Sequence, residues 1–147
     1  LAEKIDHRKE IKMTHVAEML GSYPKSLAWL DQAKLAECIE ACFDCAQVCT
    51  ACADACLAEE MVADLVRCIR TDLDCAAICA TTGTILSRRT GSDASVTEAL
   101  LEACRIACRV CGNDCASHAD MHEHCRICAE TCRRCEAACA ALLSDLG

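Results

Sequence analysis

Apolar and small residues recur along this chain at alternating steps of three and four, with charged residues between them. That rhythm keeps one face of an α-helix apolar over many turns. Four long segments carry it. The first runs from about Pro24 to about Ala58, and Pro suits the opening turn of a helix. A tight turn marked by neither Gly nor Pro follows, and a second helix spans about Val62 to Arg88. Thr90-Gly91-Ser92-Asp93-Ala94 is the clearest loop. Ser95 with Glu98 reads as a capping box opening a third helix over about 96–117. A turn at Ser117 to His122 leads into a fourth helix ending near Leu146. Ahead of these, about 5–20 is a short amphipathic stretch set off by Gly21 and Pro24. Long helices with short connections predict antiparallel neighbours. The expected fold is all-α, an up-down-up-down four-helix bundle over 24–147 behind a short helical extension over 1–23.

The apolar seams are written in cysteine. The first long helix carries Cys38, Cys42, Cys45, Cys49, Cys52 and Cys56, spaced 4, 3, 4, 3, 4. This is the spacing of a coiled-coil seam with Cys in place of Leu. The third repeats it with Cys104, Cys108, Cys111 and Cys115, and the fourth with Cys125, Cys128, Cys132, Cys135 and Cys139. The second is sparser, with Cys68, Cys75 and Cys79. All 18 cysteines fall on these seams, so the core is expected to be a tube of sulfur.

Composition narrows the classes. Only one Phe, one Tyr and one Trp occur, and Gly (5) and Pro (1) are scarce. Scarce turn residues with abundant Ala argue against a loop-rich disulfide scaffold and against a sheet. The formal charge is −8 with both signs interspersed, which gives no basic patch for nucleic acid. No apolar run reaches the roughly eighteen residues of a membrane span. Residues 1–12 are charged and carry no apolar leader, reading as a non-native extension or as the start of a processed chain. So many free thiols point to the reducing cytosol.

A buried thiol packs as a small hydrophobe, which accounts for one or two cysteines but not for whole seams, since it buries less apolar area than Leu. Thiols at i and i+4 on one helix project side by side, in poor geometry for a disulfide. Metal binding remains, and thiolate-only sites select Cu(I), Zn(II) or iron–sulfur clusters. Zinc knuckles and cluster loops wrap irregular backbone around a centre, whereas these CxxC pairs belong to continuous helices. Charge also favours Cu(I): zinc with four thiolates carries a net −2, while Cu(I) with one thiolate per metal is neutral. Bridging sulfurs at one to one would place ~18 Cu(I) in an electroneutral core. Protonated thiols are neutral too, so the apoprotein is expected to fold, and loading to release protons. The alternatives are a thiol-based zinc protein or an iron–sulfur or redox protein.

The ladders Cys38-Cys42, Cys45-Cys49, Cys52-Cys56, Cys75-Cys79, Cys104-Cys108 and Cys111-Cys115 give the chain its likeness to a known family. Over about 25–143 it resembles the bacterial four-helix-bundle copper storage proteins. The resemblance implies Cu(I) storage inside the bundle rather than catalysis, and a homo-oligomer, often a tetramer. It also implies the cytosolic, Cys-rich type. A copper chaperone or a low-molecular-weight thiol would be the exchange partner.

The topology puts the first and third turns at one end. Stepping along the seam from Cys115 by 3, 4 and 3 gives His118, His122 and Cys125. His118 and His122 are therefore expected as ligands at a copper-admitting mouth, with His124 and Met121 as weaker candidates and Met61 at the facing turn. The opposite end is expected to be sealed by Leu35, Leu86, Leu100 or Leu101, and Leu142. Asp72 fills a gap in the second seam. Either it lies in the core as a copper ligand or thiol acceptor, or Thr71 faces the core and Asp72 points outward. Arg126, Arg133 and Arg134 are expected on the solvated face of the fourth helix.

Overall fold

The computed structural model describes residues 14–27 and 30–146. Residues 1–12 and the start of the amphipathic stretch lie outside these. The described residues form α1 (His15–Gly21), α2 (Gln32–Leu57), α3 (Val66–Leu86), α4 (Ala94–Ala116) and α5 (Glu123–Leu146). One 3-10 turn over Val62–Leu65 precedes α3. No strand occurs among the described residues. Helix α2 packs against α3 and α5, and α4 closes the ring against the same two. This is the four-helix bundle that the seams predict. The short α1 leans on α2, with Leu20 buried in the common core and the Thr14 hydroxyl bonded to Glu40.

Two helix starts differ from the sequence expectation. Helix α2 opens at Gln32 rather than near Pro24, because the Asp31 carboxylate accepts from the Lys34 N–H and so satisfies one of the orphan amides. Pro24 lies in the connecting segment; a proline permits a first turn but supplies no cap. Helix α4 is capped by Asp93, not Ser95: one Asp93 oxygen takes the N–H groups of Ser95 and Val96 at 2.9 and 3.1 Å. The second helix also divides, since the first residues past the turn form the 3-10 segment.

The core is cysteine from one end to the other. All eighteen thiols are free and buried. Short side chains let the helices close in until sulfurs meet across the bundle diagonal. Cys42 and Cys49 of α2 reach Cys104 and Cys111 of α4 at 4.0 and 3.9 Å. Cys79 of α3 reaches Cys135 of α5 at 3.9 Å. Ala41, Ala53 and Ala138 are buried beside the cysteine seams. At Gly83 an added Cβ would lie 2.9 Å from the Phe43 ring, so glycine makes room for the chain's one phenylalanine.

Large aliphatic side chains gather at one end. Leu35, Leu86, Leu101 and Leu142 are essentially inaccessible there, while Leu100 is only half-buried. The α5 arginines lie outside, as expected: Arg126 pairs with Glu123 and Glu130, Arg133 with Glu136, and Arg134 with Glu37 and Asp44. Among the described residues no helix is long and apolar enough to cross a membrane.

Candidate metal centre

A helical seam delivers a thiol to the axis every three or four residues, and four seams in register stack those thiols into layers. Neighbouring sulfurs lie 3.5 to 4.0 Å apart, from Cys68 and Cys115 at the short limit to Cys42 and Cys104 at the long one. An S–S bond is about 2.05 Å, so these are contacts between free thiols. Two sulfurs on one metal at ~2.3 Å each can be at most ~4.6 Å apart. The spacing therefore suits a shared ion.

The sulfurs form groups of four whose atoms all lie within 4.8 Å of one another: Cys42, Cys104, Cys135 and Cys139; Cys45, Cys79, Cys108 and Cys135; Cys45, Cys49, Cys75 and Cys132; and Cys49, Cys111, Cys128 and Cys132. Consecutive groups share corners. Cys135 belongs to the first two, Cys45 to the second and third, and Cys49 and Cys132 to the third and fourth. Isolated zinc sites would be separate tetrads. A corner-sharing array instead offers the shared thiolates to two metals each.

Asp72 lies inside the tube, which decides between the two orientations open in the sequence. It is fully buried, whereas Thr71 is half-exposed and turns its hydroxyl to the Cys68 carbonyl. The Asp72 Oδ1 accepts from the thiols of Cys111, Cys128 and Cys115 at 3.0, 3.2 and 3.4 Å. Its Oδ2 is buried without a partner. Burial, reinforced by the neighbouring Cys111 thiol, pushes this carboxyl up to about 9.

The turn after α4 brings three histidines to the other end from the leucines. The His118 carbonyl accepts from the Met121 and His122 N–H groups at 3.1 and 3.0 Å, which folds the turn over the end of the tube. His124 reaches the sulfurs, with Nδ1 at 3.4 Å from the Cys52 sulfur and 3.6 Å from Cys125. With Cys56 these form a mixed sulfur and nitrogen group. Burial pushes the Cys56 thiol up to about 12 and raises Cys125 as well. His122 stacks on His124 with ring centroids 5.5 Å apart. His118 has a buried Nδ1 without a hydrogen-bond partner. Met61 and Met121 are 62% and 67% exposed, at the two turns.

Two residues at this end are absent from the sequence reading. Glu59 contacts His122 Nδ1 at 3.0 Å and His124 Nε2 at 3.5 Å. Leu65 is buried beneath the turn, three residues before Cys68. Leu65 has a sequence signal, since it continues the α3 seam backwards by one step. Glu59 has none, because its partners are about sixty residues away.

Comparison with known proteins agrees with this architecture. The profile of the copper storage protein family matches residues 31–144. The copper storage protein Ccsp from Streptomyces lividans, loaded with 10 copper equivalents, is 58% identical with a TM-score of 0.86. That match covers 88% of this chain and 98% of the other. A second structure, a cytosolic copper storage protein from Streptomyces lividans with five coppers, is 62% identical over 76% of this chain and 93% of its own, at a TM-score of 0.75. The Cu(I)-bound copper storage protein BsCsp3 is 36% identical over 71% of this chain and 93% of its own, at a TM-score of 0.64. Among curated proteins no significant match is found. With its fold, its sulfur-lined axis and a family match spanning all four long helices, the chain belongs to the copper storage protein family.

Proposed function

We propose that this chain stores Cu(I), holding on the order of 18 ions as a continuous thiolate array along the bundle axis. The observation that carries the reading is the sharing of Cys45, Cys49, Cys132 and Cys135 between neighbouring sulfur groups. Shared thiolates hold more metal per sulfur than separate tetrads, and one Cu(I) per thiolate leaves the core neutral. Loading replaces thiol protons by copper, so the proton count released follows the copper count.

Copper is admitted at the histidine end. His124 acts with Cys52, Cys56 and Cys125, while His118 and His122 lie outside them and Met61 and Met121 serve at most as weak outer contacts. Deeper in, Asp72 receives an ion beside Cys111, Cys115 and Cys128. The role is buffering and release rather than catalysis. By likeness to the cytosolic relative, the chain works in the cytosol, exchanging copper with a chaperone or a small thiol and assembling as a homotetramer.

The test is an anaerobic titration of reduced apoprotein with Cu(I) against a chromogenic Cu(I) chelator. About one copper per cysteine should bind before the chelator colours. Saturation after one or two equivalents would refute storage.

A further inference from the structure

At the histidine end the Glu59 carboxylate is directed at two of the histidine rings. Glu59 stands in the turn between α2 and the 3-10 segment, its backbone N–H bonded to the Cys56 carbonyl at 3.2 Å. Its two oxygens divide between two rings, one from the other turn and one from the start of α5: Oε2 lies 3.0 Å from His122 Nδ1, and Oε1 lies 3.5 Å from His124 Nε2. The carboxylate thereby ties the two turns together across the tube. Its side chain is one-third exposed, and the histidines are less exposed still.

A neutral imidazole carries a proton on one nitrogen and a lone pair on the other, and the partner of the first determines which nitrogen binds metal. A carboxylate only accepts. His124 Nε2 makes no hydrogen bond among the described residues and lies 3.5 Å from the carboxylate, whose charge favours the N–H there. The lone pair is then left on Nδ1, the nitrogen that faces Cys52 and Cys125. Beside His122 Nδ1 the carboxylate favours the opposite tautomer and leaves Nε2 as the free nitrogen.

We infer that Glu59 is a positioning residue for copper uptake: it selects opposite tautomers in His122 and His124, so that His124 presents Nδ1 to Cys52 and Cys125 while His122 keeps Nε2 free. The inference rests on the storage reading above, and on a mouth at this end. Glu59 itself does not bind the ion. Both of its oxygens are taken up by the two rings, so it reaches the ion only through them. Its contribution is to orientation: it holds the His124 proton on the outer nitrogen, away from the one that faces the sulfurs, and sets His122 against the usual preference of a neutral imidazole.

The experiment has two parts. In the reduced apoprotein, nitrogen chemical shifts of the histidine rings report the tautomer; His124 should be protonated at Nε2 in the wild type and mixed in Glu59→Gln. Stopped-flow transfer of Cu(I) from a chromogenic chelator should slow about tenfold in Glu59→Gln, as expected for loss of a ligand's supporting carboxylate, with final capacity unchanged. In a His122→Ala/His124→Ala background the same substitution should have no further effect, because nothing remains to be positioned. Wild-type tautomers in Glu59→Gln, or uptake within about twofold of wild type, would overturn the inference. So would an equal slowing in the background without the two histidines, which would mean that Glu59 acts by charge alone. Failure of storage is separately visible, as wild-type saturation after one or two equivalents.

Discussion

Replacing Asp72 by Asn tests the protonation of the tube interior. Asp72 is fully buried, its Oδ1 takes three thiols and its Oδ2 takes nothing. Burial holds the carboxyl near 9 in the folded apoprotein, against an ordinary value of 3.8 in the unfolded chain. Between those values the folded state keeps a proton that the unfolded state has lost. Stability therefore falls as pH rises, by about 1.4 kcal/mol per pH unit for one proton. From pH 5 to pH 7.5 the wild type should lose about 3 kcal/mol more than Asp72→Asn, which has no charge to bury. The window stops short of pH 8.5, around which unfolded thiols titrate. Urea unfolding of reduced, metal-free protein at several pH values measures the difference, and carboxylates common to both proteins cancel. Parallel stability profiles would show that the carboxylate is already ionised in the folded bundle. The three thiols would then outweigh burial, and the reasoning would fail.

Two further outcomes follow from the helix ends. Asp93→Ala should cost about 1 kcal/mol by urea denaturation, as for a lost N-cap, whereas Ser95→Ala should stay within about 0.5 kcal/mol. Reversed costs would restore the Ser95 cap. Leu101→Ala, at a fully buried position of the leucine end, should cost about 2–5 kcal/mol while the copper capacity in titration stays at the wild-type value. A loss of capacity would mean that this end holds metal.

The sulfur axis was legible because it depends only on periodicity. Spacings of three and four place Cys38 through Cys56 on one stripe whatever surrounds them, and burial of that stripe follows. Asp72 was half legible: its register pointed inward, but Thr71 lies one residue away, and only the neighbouring seams decide between them. The helix starts were misread for a local reason. Pro24 and Ser95 match general preferences for opening turns, yet Asp31 and Asp93 present carboxylates at a distance the amides can use. For the histidines, counting along the seam favours His118 and His122; the α4–α5 turn departs from helical geometry, and after it His124 places its Nδ1 beside sulfur, which counting does not reveal. Glu59 could not be found at all, since its meaning lies in a contact between turns distant in sequence.

On the proposed reading, the leucine end would set the order of traffic. Leu35 lies three residues before Cys38 and Leu142 three after Cys139, so those two thiols, 3.8 Å apart, stand at the bottom of the shaft. With copper admitted only at the histidine end, as proposed above, the store would be a stack and not a pipeline: the first ions pushed to the bottom would be the last to return, and a brief demand would be met from the newest deposits near His124. Copper at Cys38 and Cys139 would then be the oldest in the molecule, a reserve drawn on only when everything above it has gone.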